Sequence, residues 1–168
     1  MGLKTEKKDK LLEQFYEYPQ EAFTIRRLSK LTKIPKSTVQ QHLTLLKKQD
    51  LVGNDNRATH TLLFKTMKIT FFMNKIVASG LIDFLIEELN PSLITLFGSI
   101  RKGDSIKTSD IDIFVETSIE KELNLSKFER HVKHSIELHI RNDINDLQPH
   151  LLTNVLNGIK LYGSIKLQ

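Results

Sequence analysis

The sequence of 168 residues lacks cysteine and tryptophan, and it has only 7 glycines and 4 prolines. Without cysteine the chain can form neither a disulfide nor a thiolate metal site, and a cytoplasmic location is the natural expectation. Glycine and proline are too few for a low-complexity linker. With 39% hydrophobic and 27% charged residues, the chain is expected to be globular, as one medium-sized domain or two small ones.

A long hydrophobic run is also missing. Residues 69–89 form the most apolar stretch, but Asn74, Lys75 and Asp83 interrupt it, so we expect a buried helix or helix pair and no contact with a membrane. Its apolar residues recur at helical spacing, although Gly80 weakens the middle. The wide apolar face leaves room for contacts in a homodimer, which is one expected partner.

Charge is divided unevenly along the chain. Residues 1–70 contain 14 basic and 7 acidic residues, a net charge of +7, whereas residues 71–168 contain 11 basic and 13 acidic residues, a net charge of −2. A basic first half favours a polyanionic partner, and an acidic second half suits a metal site. We therefore predict two domains, residues 1–66 and residues 67–168.

The first domain has the pattern of three helices. Residues 6–18 predict an amphipathic helix, and Thr24 can cap a short second helix. A tight turn then separates this helix from a third, predicted at residues 36–48. Ser37 and Gln40 form a capping box that would start the third helix.

Two predicted strands, residues 51–52 and 59–64, follow the third helix on either side of a turn. Two short helices, a tight turn and a hairpin resemble a winged helix-turn-helix, and the resemblance covers residues 6–66. It implies that the third helix enters the major groove of DNA and that the hairpin meets the phosphate backbone. The residues expected to bind DNA are Lys36, Ser37, Thr38, Gln40, Gln41, Lys47 and Arg57. Winged helices also serve as protein-interaction modules, and that alternative stays open.

The second domain contains a compact chemical pattern. A predicted strand at residues 92–97 runs into Gly98 and Ser99, and Asp110 and Asp112 follow after ten residues inside a second predicted strand. Glycine allows a sharp turn and the close approach of a ligand, and serine adds a hydroxyl and an amide that suit an anion. Because side chains alternate along a strand, the two aspartates share one face and can bind a hard cation such as Mg²⁺.

Further residues around this turn suit a nucleotide. Lys102 adds positive charge for phosphate oxygens, and a polar loop runs from Gly103 to Ser109. We therefore predict a nucleotide-binding set of Gly98, Ser99, Lys102, Gly103 and Ser109. A solvated edge strand would explain the aspartates alone, but it leaves the glycine–serine turn unexplained.

A third carboxylate is expected, because a two-metal site usually needs more than two acidic ligands. Residues 134–140 alternate as a strand does, with the apolar residues on one face and Glu137 on the other. If this strand lies beside the one that carries the aspartates, Glu137 completes the catalytic and metal-binding triad. An ordinary exposed glutamate is the alternative, and Glu116 is a weaker competitor. The histidines, His139 among them, show no reliable ligand spacing and are assigned no metal.

The spacing of Gly98-Ser99 and Asp110-x-Asp112 closely resembles that of the minimal nucleotidyltransferases of the DNA polymerase β superfamily. The resemblance covers about residues 75–164 and includes Lys102-Gly103, where the family commonly has Arg-Gly. It implies an α+β fold with a small mixed sheet flanked by helices, two Mg²⁺ ions held by both aspartates and a third acid, and ATP or another NTP as donor. Family members transfer AMP or another nucleotide to a hydroxyl. The third acid is usually an aspartate, so Glu137 is a departure in residue type.

Three hypotheses describe the function. The favoured one is a nucleotidyltransferase with an N-terminal DNA-binding domain. Related minimal enzymes often act as antitoxins that place AMP on a tyrosine of a partner toxin, so a toxin protein is one expected acceptor. The second hypothesis is a transcription regulator whose transferase-like domain senses nucleotide without catalysis. The third is an enzyme that modifies a small molecule such as an aminoglycoside.

Overall fold

The computed structural model describes residues 3–166, with side chains described from residue 6 onward. These residues form helices and strands in the order α1 (Leu3–Glu17), α2 (Ile25–Thr32), α3 (Lys36–Lys48), α4 (Leu62–Ala78), α5 (Leu81–Leu89), β1 (Leu93–Phe97), α6 (Gly98–Lys102), β2 (Ile111–Glu116), α7 (Ser126–Val132), β3 (Ile136–Arg141), α8 (Pro149–Leu156) and β4 (Ile159–Gly163). The chain divides into two compact units, one ending at Lys68 and the other beginning at Ile69. The division falls within α4.

The first unit begins with three helices. Thr24 caps α2 as predicted, because its hydroxyl accepts a hydrogen bond of 3.1 Å from the amide of Arg27. Helix α2 ends where Lys33 takes a left-handed conformation, with φ 61°, and α3 begins at Lys36. A connection of residues 33–35 therefore separates the two helices. Their inward-facing side chains are buried, namely Leu28, Val39, Leu43 and Leu46.

The start of α3 differs from the prediction. The capping box of Ser37 and Gln40 does not form, because the N-cap is Pro35 and no side chain caps the helix. The carbonyl of Pro35 instead accepts a hydrogen bond of 2.9 Å from the amide of Val39. A proline suits this position because its fixed φ favours the helix entry and it has no amide hydrogen that needs a partner. Ser37 is therefore left on the outer surface of the first turn.

The predicted strand at residues 59–64 is wrong, because helix α4 begins inside it. The hydroxyl of Thr61 accepts a hydrogen bond of 3.2 Å from the amide of Phe64. This is the bond that an N-cap residue makes at the start of a helix. A short run of threonine, leucine and phenylalanine fits a strand or a helix equally well by periodicity, and the cap decides between them. In the described part of the first unit, β pairing is limited to one isolated antiparallel bridge between Val52 and Ala58.

The apolar residues 69–89 belong to two helices rather than one. Gly80 lies between α4 and α5 with φ 78°, a left-handed conformation that ends the first helix. The inner side of α5 is buried through its four residues Leu81, Ile82, Leu85 and Leu89. Among the described residues no single helix is long and apolar enough to cross a membrane. Helices α4 and α5 meet that length and composition only as a pair, which is bent by 53°.

The second unit contains a four-stranded sheet in the order β3-β2-β1-β4. Strand β1 pairs with β2 and with β4 in antiparallel fashion, and β2 pairs with β3 in parallel. Parallel neighbours need a crossover connection, and here α7 lies within it. The predicted α+β class, with a mixed sheet flanked by helices, is confirmed for this unit.

The two faces of the sheet differ in the residues that they present. On one face β2 presents Ile111, Ile113 and Val115, which are all fully buried. On the other face Phe97 and Phe114 belong to an apolar cluster with Ile144 from the 3-10 turn Ile144–Asp146, Leu147 directly after that turn, and Val155 from α8. Asp112 lies on this second face, opposite Phe97 at the end of β1. The apolar cluster therefore supports the strands directly beside the predicted acidic residues.

Thr117 ties the end of α5 to the end of β2. Its buried hydroxyl donates a hydrogen bond of 2.6 Å to the carbonyl of Leu89 and accepts one of 3.1 Å from the amide of Ile119. We expect Thr117→Val to lower the free energy of unfolding by about 1–3 kcal/mol, because both backbone groups lose their partner away from water. Urea unfolding followed by circular dichroism measures the change.

Thr153→Val is the matched control. Thr153 is exposed, and its hydroxyl bonds the carbonyl of Pro149 four residues earlier in α8. We expect its substitution to change the free energy of unfolding by less than about 0.5 kcal/mol. Equal losses in the two variants would contradict the role given to Thr117.

Candidate functional site

The turn after β1 is packed directly against the second aspartate. Gly98 begins α6 with φ 71°, and a Cβ atom added to it would lie 1.8 Å from Oδ2 of Asp112. Both the backbone angle and the missing side chain are therefore needed at this position. The turn and the carboxylate meet because Phe97, which precedes Gly98, is the β1 partner of Asp112.

The pairing of β2 with β3 places Asp112 beside Glu137. The two residues are partners in the parallel register, and their side chains lie on the same face of the sheet. One ligand atom each from Asp112, Glu137 and His139 lies within 4.8 Å of the other two. Asp112 is half-buried and Glu137 is exposed, so the cluster opens to solvent on one side. Carboxylate oxygens and an imidazole nitrogen are donors that suit a divalent cation, so this cluster fits such an ion.

The environment of Asp112 opposes its negative charge. Burial raises the pKa of the Asp112 carboxyl, and the negative charges of Glu137 and Asp110 raise it further. The neighbouring His139 acts in the opposite direction on this pKa. A bound cation would relieve the repulsion between the carboxylates, which is the electrostatic behaviour expected of a metal site.

Asp110 stands apart from the three clustered residues. It precedes β2, its side chain is exposed, and its Oδ1 accepts a hydrogen bond from the hydroxyl of Ser135. Its charge still acts on Asp112, so the two carboxylates are electrostatic neighbours. Glu116, the competing acid, lies at the far end of β2 and accepts a hydrogen bond of 2.8 Å from the amide of Ile144. Glu116 therefore helps to hold the fold and lies outside the acidic cluster.

The predicted nucleotide-binding residues occupy α6 and the loop after it. Gly98 and Ser99 start this short helix, and the exposed Lys102 ends it. Gly103 is buried as the residue that ends α6. The hydroxyl of Ser109 accepts a hydrogen bond of 2.9 Å from the amide of Ile106, which closes the loop. The structure thus brings Gly98 to the acidic cluster, whereas Gly103 and Ser109 shape the backbone around it.

His139 is the residue that the sequence analysis missed. Its Nε2 atom lies 3.4 Å from Oε1 of Glu137, and its ring lies 5.1 Å from the ring of Phe97. Its position two residues after Glu137 on the same strand indicates that the two side chains share a face, because side chains alternate along a strand. The histidines show no ligand spacing among themselves, and the relation of His139 to the carboxylates follows only from the strand that it shares with Glu137.

A basic cleft of about 450 Å³ adjoins the first aspartate. Ser135, whose hydroxyl bonds Asp110, is one of its lining residues. Positive charge comes from Lys107, Arg130 and Lys133, which outnumber the one lining carboxylate, that of Glu129. A cleft with this lining suits a ligand that carries negative charge.

The predicted DNA-binding residues lie in the first unit, on α3 and in the turn after it. Lys36, Ser37, Gln40 and Gln41 are exposed on α3, and Thr38 and Lys47 are half-buried. The ammonium group of Lys47 donates a hydrogen bond of 3.2 Å to the carbonyl of Asn54. Arg57 is exposed and lies 3.9 Å from Asp55, a weak surface ion pair. Five of the seven predicted residues are therefore exposed to solvent.

A glycine turn against one carboxylate, with a second carboxylate opposite, is an arrangement that suits a divalent metal beside phosphate oxygens. The family model described as "Polymerase beta, Nucleotidyltransferase" matches residues 79–166. The chain belongs to this family, whose class of chemistry is nucleotidyl transfer and whose domains generally use an NTP and a divalent metal. No curated protein and no solved structure matches the chain.

Gly98→Ala tests the contact between the turn and Asp112. We expect it to lower the free energy of unfolding by about 1–2 kcal/mol through the left-handed φ, and to weaken Mg²⁺ binding about tenfold or more by displacing the carboxylate. Urea unfolding and calorimetric titration with Mg²⁺ measure the two effects.

Gly80→Ala is the control for the backbone angle. Gly80 has a similar φ of 78°, but its added Cβ would meet nothing within 4 Å. We expect a comparable loss of stability with unchanged Mg²⁺ affinity. Mg²⁺ binding as tight in Gly98→Ala as in the unchanged chain would show that the turn does not position Asp112.

Proposed function

We propose that the protein is a Mg²⁺-dependent enzyme that transfers AMP from ATP to a hydroxyl group. The observation that carries this proposal is the placement of Asp112 directly opposite Glu137, with the Gly98 turn against the same aspartate. Membership of the nucleotidyltransferase family supports the class of reaction. The choice of ATP, of AMP and of two Mg²⁺ ions is our proposal within that class.

Each residue of the site has a proposed task. The Gly98–Ser99 turn holds the triphosphate with its backbone amides and the serine hydroxyl. Asp110, Asp112 and Glu137 bind divalent metal, which when bound neutralises phosphate charge and lowers the pKa of the attacking hydroxyl. That hydroxyl forms a bond to the α-phosphorus, and the bond from this phosphorus to the β-phosphate oxygen breaks to release pyrophosphate. The exposed Glu137 accepts the proton of the hydroxyl.

The acceptor we propose is a hydroxyl on a partner toxin protein. The resemblance to minimal nucleotidyltransferases that act as antitoxins supports this proposal. The acidic cluster also opens to solvent at Glu137, which leaves the site accessible to a macromolecule. A small acceptor such as an aminoglycoside would bind in the same opening, and the two are distinguished by which acceptor becomes labelled.

Labelled ATP tests the transfer directly. We expect the full chain with Mg²⁺ and [α-³²P]ATP to label its acceptor, and Asp110→Ala/Asp112→Ala to reduce labelling on the order of 100-fold or more, because the metal loses both aspartate ligands. Labelling is measured on candidate toxin proteins and on small hydroxyl compounds.

Asp83→Ala is the matched control, because Asp83 is an exposed aspartate on α5. It should label the acceptor as the unchanged chain does. Labelling that survives loss of both site aspartates would contradict the proposal. ATP binding without labelling of any acceptor, combined with an effect of ATP on DNA binding, would favour the alternative of a nucleotide-sensing transcription regulator.

For the first unit we propose a helix-turn-helix that binds DNA, in which the predicted wing is reduced to the turn closed by the bridge between Val52 and Ala58. The support is the short connection from α2 to α3, the polar exposed surface of α3 and the net charge of +7 in residues 1–70. In this proposal Gln40 and Gln41 meet base edges in the major groove. Lys36, Lys47 and Arg57 bind phosphates, which sets affinity and not sequence preference.

Lys36→Gln/Arg57→Gln tests the phosphate contacts. We expect this variant to bind all DNA sequences more weakly and to reduce the slope of log affinity against log salt by about 2, since each lost phosphate contact removes about one released counterion. Gel shifts over a series of salt concentrations measure the slope.

Lys160→Gln, which removes an exposed lysine of the second unit, is the control. Its salt slope should equal that of the unchanged chain. Full DNA affinity in Lys36→Gln/Arg57→Gln would argue against this docking surface and in favour of a protein-interaction module.

A further inference from the structure

We propose that His139 is a metal ligand, and that with Asp112 and Glu137 it forms a mixed nitrogen–oxygen position that binds Mn²⁺ more tightly than Mg²⁺. This inference concerns the metal of the proposed transferase site and rests on that proposal for its role in the reaction. Its measurement needs neither nucleotide nor acceptor. The two metal positions would then be chemically unequal, because a position between Asp110 and Asp112 offers only carboxylate oxygen from this chain.

The geometry of β3 brings the three donors together. Glu137 and His139 are two residues apart and share a face, and Asp112 is the cross-strand partner of Glu137. Nε2 of His139 and Oε1 of Glu137 are 3.4 Å apart. An octahedral ion with bonds of about 2.1 Å holds neighbouring ligand atoms about 3 Å apart, whereas the three donor atoms here lie within 4.8 Å of one another, so side-chain rotation would bring them to that spacing. The donors are therefore close to a metal-binding arrangement without any movement of the strands.

The imidazole is held in place by its surroundings. Its ring packs at 58° to the ring of Phe97, and the side chain is only 22% exposed. Phe97 in turn belongs to the buried apolar cluster under α8. A ligand whose rotamer is fixed by packing loses little entropy on binding an ion, and such preorganisation strengthens the site.

The donor types determine which ion is preferred. Mg²⁺ favours oxygen ligands and gives up its water reluctantly, whereas Mn²⁺ and later first-row ions accept an imidazole nitrogen. Carboxylate oxygen suits Mg²⁺ and Mn²⁺ alike, so the imidazole is the donor that separates these two ions. The replacement of an all-carboxylate position by one containing His139 therefore shifts affinity from Mg²⁺ towards Mn²⁺.

Metal titration of the full chain tests the inference. Metal-free protein is titrated with Mn²⁺ while electron paramagnetic resonance measures the free ion, and Mg²⁺ affinity is obtained by competition. We expect Mn²⁺ to bind at least about tenfold more tightly than Mg²⁺. The bound Mn²⁺ should also show electron spin echo modulation from a directly coordinated imidazole nitrogen.

His139→Phe is the decisive variant, because it keeps an aromatic ring against Phe97 and removes the nitrogen. We expect it to lose about tenfold or more in Mn²⁺ affinity, to keep Mg²⁺ affinity within about twofold, and to lose the nitrogen modulation. His139→Gln is the second variant should the first fail to fold, which thermal unfolding reports. His60→Phe removes an exposed histidine of the first unit and should change neither affinity.

Three results would overturn the inference. They are the absence of Mn²⁺ binding, a Mn²⁺ complex without nitrogen coupling, and an unchanged ratio of Mn²⁺ to Mg²⁺ affinity in His139→Phe. The fate of the proposed function is separate from these results. Nitrogen-coordinated Mn²⁺ in a chain that labels no acceptor would refute transfer and leave the ligand assignment standing. Labelling of an acceptor by a chain whose bound Mn²⁺ shows no nitrogen coupling would support transfer and refute the assignment of His139 as a ligand.

Discussion

The parallel pairing of β2 with β3 is the interaction on which the rest of the site depends. It sets Asp112 opposite Glu137, and it brings His139 onto the same face two residues further along. Parallel strands require a crossover, and the connection that includes α7 supplies it. A shift of one residue in this register would turn Glu137 and His139 to the opposite face of the sheet, away from Asp112. The backbone hydrogen bonds between β2 and β3 therefore determine which side chains meet at the site.

Much of this arrangement could be predicted, because it follows from strand periodicity. Alternation places Asp112 on the face away from Ile111 and Ile113, and the same rule assigns Glu137 its side of β3. Which strands pair is a long-range property that no local sequence pattern encodes. The prediction of a triad of Asp110, Asp112 and Glu137 therefore holds only if the strands that carry these residues are neighbours in the sheet. The register supplies that condition for Asp112 and Glu137.

The remaining features depend on contacts that spacing does not encode. His139 becomes part of the site through a carboxylate and an aromatic ring that approach it only in the folded sheet. The hydrogen bond from Ser135 to Asp110 depends on the rotamers of the two side chains, and a sequence pattern does not determine rotamers. The start of α4 was missed for a local reason: Thr61 caps a helix where the apolar residues after it also fit a strand.

The crowding of negative charge around Asp112 has a consequence for the lifetime of the protein. Folding places this carboxylate in a half-buried position beside Glu137, where burial first and the neighbouring negative charges second raise the pKa of Asp112. An ion that binds only the folded chain offsets this cost, because it multiplies the folding equilibrium constant by one plus the ratio of the ion concentration to its Kd. Because proteases act mainly on opened chains, the supply of divalent cation would govern turnover as well as chemistry. A cell depleted of that ion would hold less of the protein, before any reaction is considered.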